Sequence, residues 1–190
     1  MKSLIIISND EIYLKKNIVS SNYNDTINII EGLNKKFHLH IVSRKTYSLK
    51  NFSIKLSKKI YSFNSDKSQS LDKGIIRILM ISVTPLNVLK YIFLISKFKN
   101  FKAYVLIRSD GYKEYDHKYG ILGRLVYHLI FNIVKQRSKI LSVSNHLTNV
   151  KTRKIIEPSE LDKNWFKKNK NLNMLFPKLL YFGRFRKEKG

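Results

Sequence analysis

Cysteine is missing from all 190 residues. That excludes disulfides and thiolate metal sites, and it fits a reducing compartment. Long apolar runs are missing too. The most apolar window, Ile75 to Ser96, is interrupted by Arg77, Pro85, Asn87 and Lys90, each costly or disruptive at membrane depth, so no transmembrane span is expected. The opening MKSLIIISND has a short apolar stretch without a cleavage-like segment, and it reads as a first strand, not a signal peptide. Neither GxxxxGK[ST] nor GxGxxG occurs, which counts against the common phosphate-binding loops of nucleotide enzymes. Acidic residues are scarce: 13 Asp and Glu against 37 Lys and Arg leave a net charge of +24.

Such a charge raises the question of nucleic acid. Lysine outnumbers arginine 29 to 8, whereas base-edge and phosphate recognition draw on arginine's planar fork. The basic residues are also spread through every segment without long runs, so no nucleic acid is expected as partner. An anionic membrane surface remains a candidate, since each Lys or Arg near it contributes about 1 kcal/mol. His38 and His40 share a strand face, but no third ligand stands near them in sequence, and no metal is expected.

A hydrophobic content of 43% over this length supports one globular domain, or one domain with part of another. Ser3 to Ser8 is continuously apolar, as in a parallel strand covered on both faces. Asp25 is read as the cap of a helix closing near Asn34, with Phe37 to Ser43 as the next strand, a βαβ unit. Residues 44–73 are polar and predict one short element and a mobile loop. Further strands are read at Ile75 to Val83, Ala103 to Ile107 and Lys139 to Val143. Pro85 begins a helix running towards Lys97. Apolar residues at Leu122, Leu125, Val126, Leu129, Ile130 and Ile133 predict a long helix over Leu122 to Gln136. The fold class is therefore α/β, an open, doubly wound, mainly parallel sheet of Rossmann-like type.

Ligands of such sheets bind beyond the carboxyl ends of the strands. The strand-end residues here include Asn9, Asp10, Thr84, Ser109, Asp110, Gly111, Ser144 and Asn145. Hydroxyls, amides and a carboxylate along one edge suit a sugar or other polyol. Tyr112, Tyr115 and Tyr119 follow Asp110 at near-helical spacing and could stack on sugars or pack as core. At the C-terminal end, KLLYFGRFRKEKG reads as a short strand, Leu179 to Phe182, feeding a basic turn. Its glycine lets the backbone approach a ligand, and its Arg and Lys suit a diphosphate.

That tail resembles the opening of the second domain in GT-B glycosyltransferases of the family 4 type, a strand followed by G-R-x4-K-G, matched by Gly183, Arg184, Lys189 and Gly190. VLIRSDGYKEYDHKYG from Val105 and LSVSNHL from Leu141 resemble two earlier strand ends of that family, in the family's order. The resemblance implies the N-terminal half of a GT-B fold: an acceptor-side domain over 1–156, an interdomain connection over 157–177, and the start of a nucleotide-sugar-binding domain over 178–190. It implies transfer of a sugar from a nucleotide-sugar to a cell-envelope glycan or lipid-linked acceptor, with retention and without a metal or other cofactor. Gly183, Arg184 and Lys189 would grip the donor diphosphate, and Asn9, Asp10, Thr84, Ser109, Gly111, Ser144 and Asn145 would face the acceptor.

Two departures stand out. The family's His-Gly site reads Asp110-Gly111, which makes Asp110 the catalytic candidate, with Glu114, Asp116 and His117 on the same loop as alternatives. The family's glycine-rich loop after the first strand is replaced by Ser8-Asn9-Asp10. The paired-glutamate segment of the family's second domain is not among these residues, so the chain alone is expected to be catalytically incomplete. A cytoplasmic protein, peripheral on the inner membrane face, is the expected setting. Trp165 and Phe166, beside Lys167 and Lys168, suit a membrane interface or an interdomain anchor. The alternative reading is a non-catalytic basic α/β module that binds an anionic membrane or nucleic acid.

Overall fold

The computed structural model describes residues 2–15, 17–56, 58, 60–62, 75–147, 150 and 154–156. The expected connection over 157–177, with Trp165 and Phe166, and the tail with Gly183, Arg184 and Lys189 lie outside the described residues.

Among the described residues a nine-stranded sheet organises the chain. It comprises β1 (Lys2–Lys15), β2 (Ile18–Ser21), β3 (Phe37–Thr46), β4 (Phe52–Lys55), β5 (Tyr61–Ser62), β6 (Ile76–Ile81), β7 (Phe101–Ile107), β8 (Ser138–Ser142) and β9 (Lys154–Ile155). Seven strands run parallel in the order β5-β3-β1-β6-β7-β8-β9. Numbered along the chain, those seven stand 3-2-1-4-5-6-7, the order of Rossmann-like sheets, with the reversal of direction between β1 and β6. β2 and β4 form an antiparallel extension on the far half of β1.

The continuous apolar runs follow from burial on both faces. Ile5 and Ile7 pack with Ile78, Met80, Val105 and Ile107 beneath two helices, α2 (Pro85–Lys97) and α3 (Gly111–Arg137). Leu4 and Ile6 point the other way, towards Ile27 and Ile30 of α1 (Asn24–Asn34). Ile5, Ile6 and Ile7 are all fully buried, each contributing about 1.5–3 kcal/mol relative to an exposed side chain. Helices thus cover both faces of a mostly parallel open sheet.

Within 44–73 the described residues hold two short strands, β4 and β5, in place of the one short element expected, and 63–73 lie outside the described residues. Three further sequence expectations need correction. The first strand does not stop at Ser8: after a register shift between Ile7 and Glu11, β1 runs on to Lys15 and turns back into β2. Asp25 is not the cap of α1; Tyr23 stands there without a side-chain cap bond, and Asp25 lies in the first turn. Its carboxylate is instead paired with Arg108 at the end of β7.

The third correction concerns the segment after Asp110. It is helix, not loop, and α3 is two helices joined at Gly120, whose φ of 62° and ψ of −155° only glycine adopts without strain. Along one continuous helix Tyr112 and Phe131 would stand about 28 Å apart. Their ring centroids are 6.1 Å apart, and those of Tyr115 and Tyr127 are 5.2 Å apart. The first arm, 111–119, therefore folds back against the second, 121–137. The crossing needs small residues: a Cβ on Gly111 would enter the Tyr127 ring, and one on Gly123 would strike the Tyr115 carbonyl.

Candidate functional site

The carboxyl ends of β6 and β7 open beneath the α3 hairpin into a cavity of about 450 Å³. Its floor is Val83 and Ile107, and Tyr115, Tyr119 and Tyr127 form an aromatic wall. Ser82, Thr84 and Ser109 bring hydroxyls, while Arg108, Lys118 and Glu114 bring charge. Rings set beside hydroxyls, two cations and one carboxylate suit a polar molecule that also has apolar faces. Burial, then Tyr119 and Glu114, raise the Tyr115 phenol above its ordinary pKa. Tyr127 is likewise raised, chiefly by burial. Both phenols are therefore neutral O–H donors at physiological pH.

The rim of the cavity is held by specific contacts. Ser82 has a positive φ of 71°, a conformation that costs a serine about 1–2 kcal/mol. The buried amide of Asn87 stabilises that turn, donating to the carbonyls of Ile81 (3.3 Å) and Ser82 (3.1 Å). Thr84 caps α2 by accepting from the Asn87 N–H at 3.3 Å. Arg108 is fixed from the opposite face of the sheet by its ion pair with Asp25. The strained turn, the cap and the tethered guanidinium all converge where β6 and β7 end.

Compared with protein-family models, curated proteins and solved structures, the chain matches none.

Thr84, Ser109, Gly111 and the alternative candidate Glu114 meet in this cavity, as the sequence suggested for strand ends. The others go elsewhere. Asp110 caps α3, its carboxylate accepting from the Lys113 N–H at 3.2 Å, and it opens with Asp116 onto a second groove on the other side of the hairpin. There Tyr112 O–H meets His128 Nδ1 at 3.1 Å, and Asn132 Nδ2 meets His128 Nε2 at 2.8 Å. His117 is exposed on the first arm and lines neither space. Ser144 receives the Ser142 hydroxyl on its carbonyl at 2.6 Å, and Asn145 opens a short 3-10 turn, Asn145–Leu147. Neither of these two lines the cavity.

Of the first-strand candidates, the Asp10 carboxylate and the Asn9 backbone are taken up by the chain itself. Asp10 accepts from the Thr26 hydroxyl at 2.6 Å, and the Asn9 carbonyl accepts from Arg44 Nε at 2.7 Å. Glu11 is paired with Lys50 at 2.9 Å, and the lysine beside it lowers the Glu11 pKa. Because β1 continues as strand where Rossmann-like sheets place a glycine turn, this edge presents no backbone cradle for phosphate. His40 is buried and stacks on Tyr61 at 5.5 Å. Among the described residues no group of three or more His, Cys, Asp or Glu stands ready for a metal.

Arg108, Lys118 and Tyr127 are cavity residues that strand-end reasoning did not single out. Helical spacing from Gly111 through Tyr115 and Lys118 to Tyr119 carries the signal for the first arm. That signal is readable only once 111–119 is taken as helix.

Proposed function

We propose that residues 1–156 form the acceptor-side domain of a GT-B-type glycosyltransferase, and that the cavity beneath the α3 hairpin receives the acceptor. The observation that carries this reading is the cavity lining at the carboxyl edge of a parallel sheet: three hydroxyls, three tyrosines, Arg108 and Lys118 around one space. Sugars present hydroxyls at their rim and C–H faces that stack on aromatic rings, and both find partners there. Arg108 and Lys118 suit a phosphate beside that sugar, as in a lipid-linked glycan. The sequence motif at Arg184 and Lys189 suits a donor diphosphate.

In this mechanism the acceptor hydroxyl attacks the anomeric carbon of the donor as the bond to the nucleoside diphosphate breaks. The donor phosphate, neutralised by Arg184 and Lys189, stabilises the leaving charge and takes the acceptor's proton. Glu114, on the cavity wall, is better placed than Asp110 to orient the acceptor, because Asp110 is engaged as a helix cap.

The test is acceptor binding, since the chain alone is expected to be catalytically incomplete. The protein is titrated with a lipid-linked sugar phosphate in detergent micelles, and the dissociation constant is measured. Binding that weakens at least tenfold in Arg108→Gln and in Lys118→Gln, with the circular dichroism spectrum kept, supports the proposal. Salt-steep binding to oligonucleotides, with no response to any nucleotide-sugar, supports the basic binding module instead.

A further inference from the structure

The second arm of α3 is apolar on two opposite sides. Gly123, Tyr127, Phe131 and Val134 are buried against the sheet and the first arm. Ile121, Leu122, Leu125, Leu129 and Ile133 are exposed, Ile121 and Leu122 at 76% and 75%. At about 100° per residue those five fall within an arc of about 120°. A surface helix of a globular protein ordinarily gives that arc to polar side chains.

Asn132 and Gln136 share that arc, and the polar stripe beside it carries Arg124, His128 and Lys135, without a carboxylate. No Asp or Glu occurs anywhere in the second arm, and Lys118 stands just before its start. An apolar face flanked by cations, on a chain of charge +24, is complementary to a surface that is apolar inside and negative outside. A second copy of this chain would bring the same positive charge to the contact. No helix among the described residues is long and apolar enough to cross a membrane, so the arm would lie along the surface.

We infer that the outer face of the second α3 arm docks the protein on an anionic lipid bilayer, with its axis in the plane of the headgroups. Leu122 belongs to this face and also lines the cavity, as does its neighbour Val126. The docked cavity therefore opens beside the lipid boundary, and a molecule held in the bilayer reaches it without crossing open water. The docking does not depend on the transferase reading, because it concerns the membrane alone.

The test uses the whole chain and sedimentation with vesicles of phosphatidylcholine alone or of phosphatidylcholine with phosphatidylglycerol. Wild type is expected to sediment with the mixed vesicles and to prefer them at least tenfold. The triple variant Ile121→Asn, Leu125→Asn, Leu129→Asn is expected to lose at least tenfold in that binding while keeping its circular dichroism spectrum and melting temperature. Arg124→Gln with Lys135→Gln is expected to lose several-fold on mixed vesicles only. Binding that the triple variant leaves unchanged overturns the inference, since scattered lysines would then account for it. A wild type that ignores both vesicles but forms a dimer abolished by the triple variant overturns it as well, in favour of a second copy.

Discussion

Replacing Gly123 with alanine tests the helical hairpin that roofs the cavity. In an unobstructed helix the change would gain up to about 1 kcal/mol from propensity alone. Here the new Cβ would meet the Tyr115 carbonyl oxygen and lie 2.7 Å from Tyr119 Cβ. The oxygen belongs to a helical backbone and cannot rotate aside, so the two arms must separate. Overpacking of this kind costs about 1–3 kcal/mol. Net of a full 1 kcal/mol propensity gain, Gly123→Ala should destabilise by up to about 2 kcal/mol, lowering Tm by up to about 4–8 °C for a chain of this size. The matched control is Gly32→Ala in α1, an exposed position where a Cβ meets nothing within 4 Å. It should stabilise by about 0.5–1 kcal/mol. Thermal melts followed by circular dichroism compare the two. If both substitutions stabilise equally, the arms do not cross at Gly123 and the cavity roof is wrongly described.

Further outcomes follow from single contacts. Asp25→Ala strands the partly buried Arg108 guanidinium and should cost about 1–3 kcal/mol in urea unfolding, with Arg108→Gln in the same background adding little, since the pair acts as a unit. Asp110→Asn keeps the helix cap, so stability should hold within about 0.5 kcal/mol, whereas Asp110→Ala should lose about 1 kcal/mol. In an enzyme complete with its donor-binding half, transfer activity that survives Asp110→Asn removes Asp110 from the catalytic candidates. Burial pushes Tyr91 up to about 12, so as pH rises from about 10 towards 12 the unfolded chain ionises first and stability falls. Among the described residues the buried Tyr91 hydroxyl has no hydrogen-bond partner, so Tyr91→Phe should keep or raise stability at neutral pH and soften that alkaline loss, read by unfolding across the pH series.

The parallel strands were legible because burial on both faces writes them as unbroken apolar runs, as in Ile5-Ile6-Ile7 and Ile78 to Ile81. Helix α2 was legible from Pro85, which begins it as read. The extension of β1 was not, because Asn9, Asp10 and Glu11 read as a turn, while their strand conformation depends on pairing with β3 and contacts to Arg44, Thr26 and Lys50. Nor was the first arm of α3. Its sequence GYKEYDHKYG is polar, and most of what it buries is aromatic and rests on the second arm. A segment whose helix is stabilised by partners 12 to 19 residues later shows little period of its own. The site was half legible for the same reason: Thr84, Ser109 and Gly111 end strands, whereas Lys118 and Tyr127 reach the cavity only through the hairpin.

Photoaffinity labelling tests most directly that the cavity beneath the hairpin is an acceptor site. A lipid-linked sugar phosphate carrying a diazirine on the sugar is irradiated with the protein, and the labelled peptides are mapped by mass spectrometry. Label is expected within 107–127, displaced by unlabelled glycolipid and reduced in Arg108→Gln. Label confined to peptides outside that span, or insensitive to competing glycolipid, would contradict it.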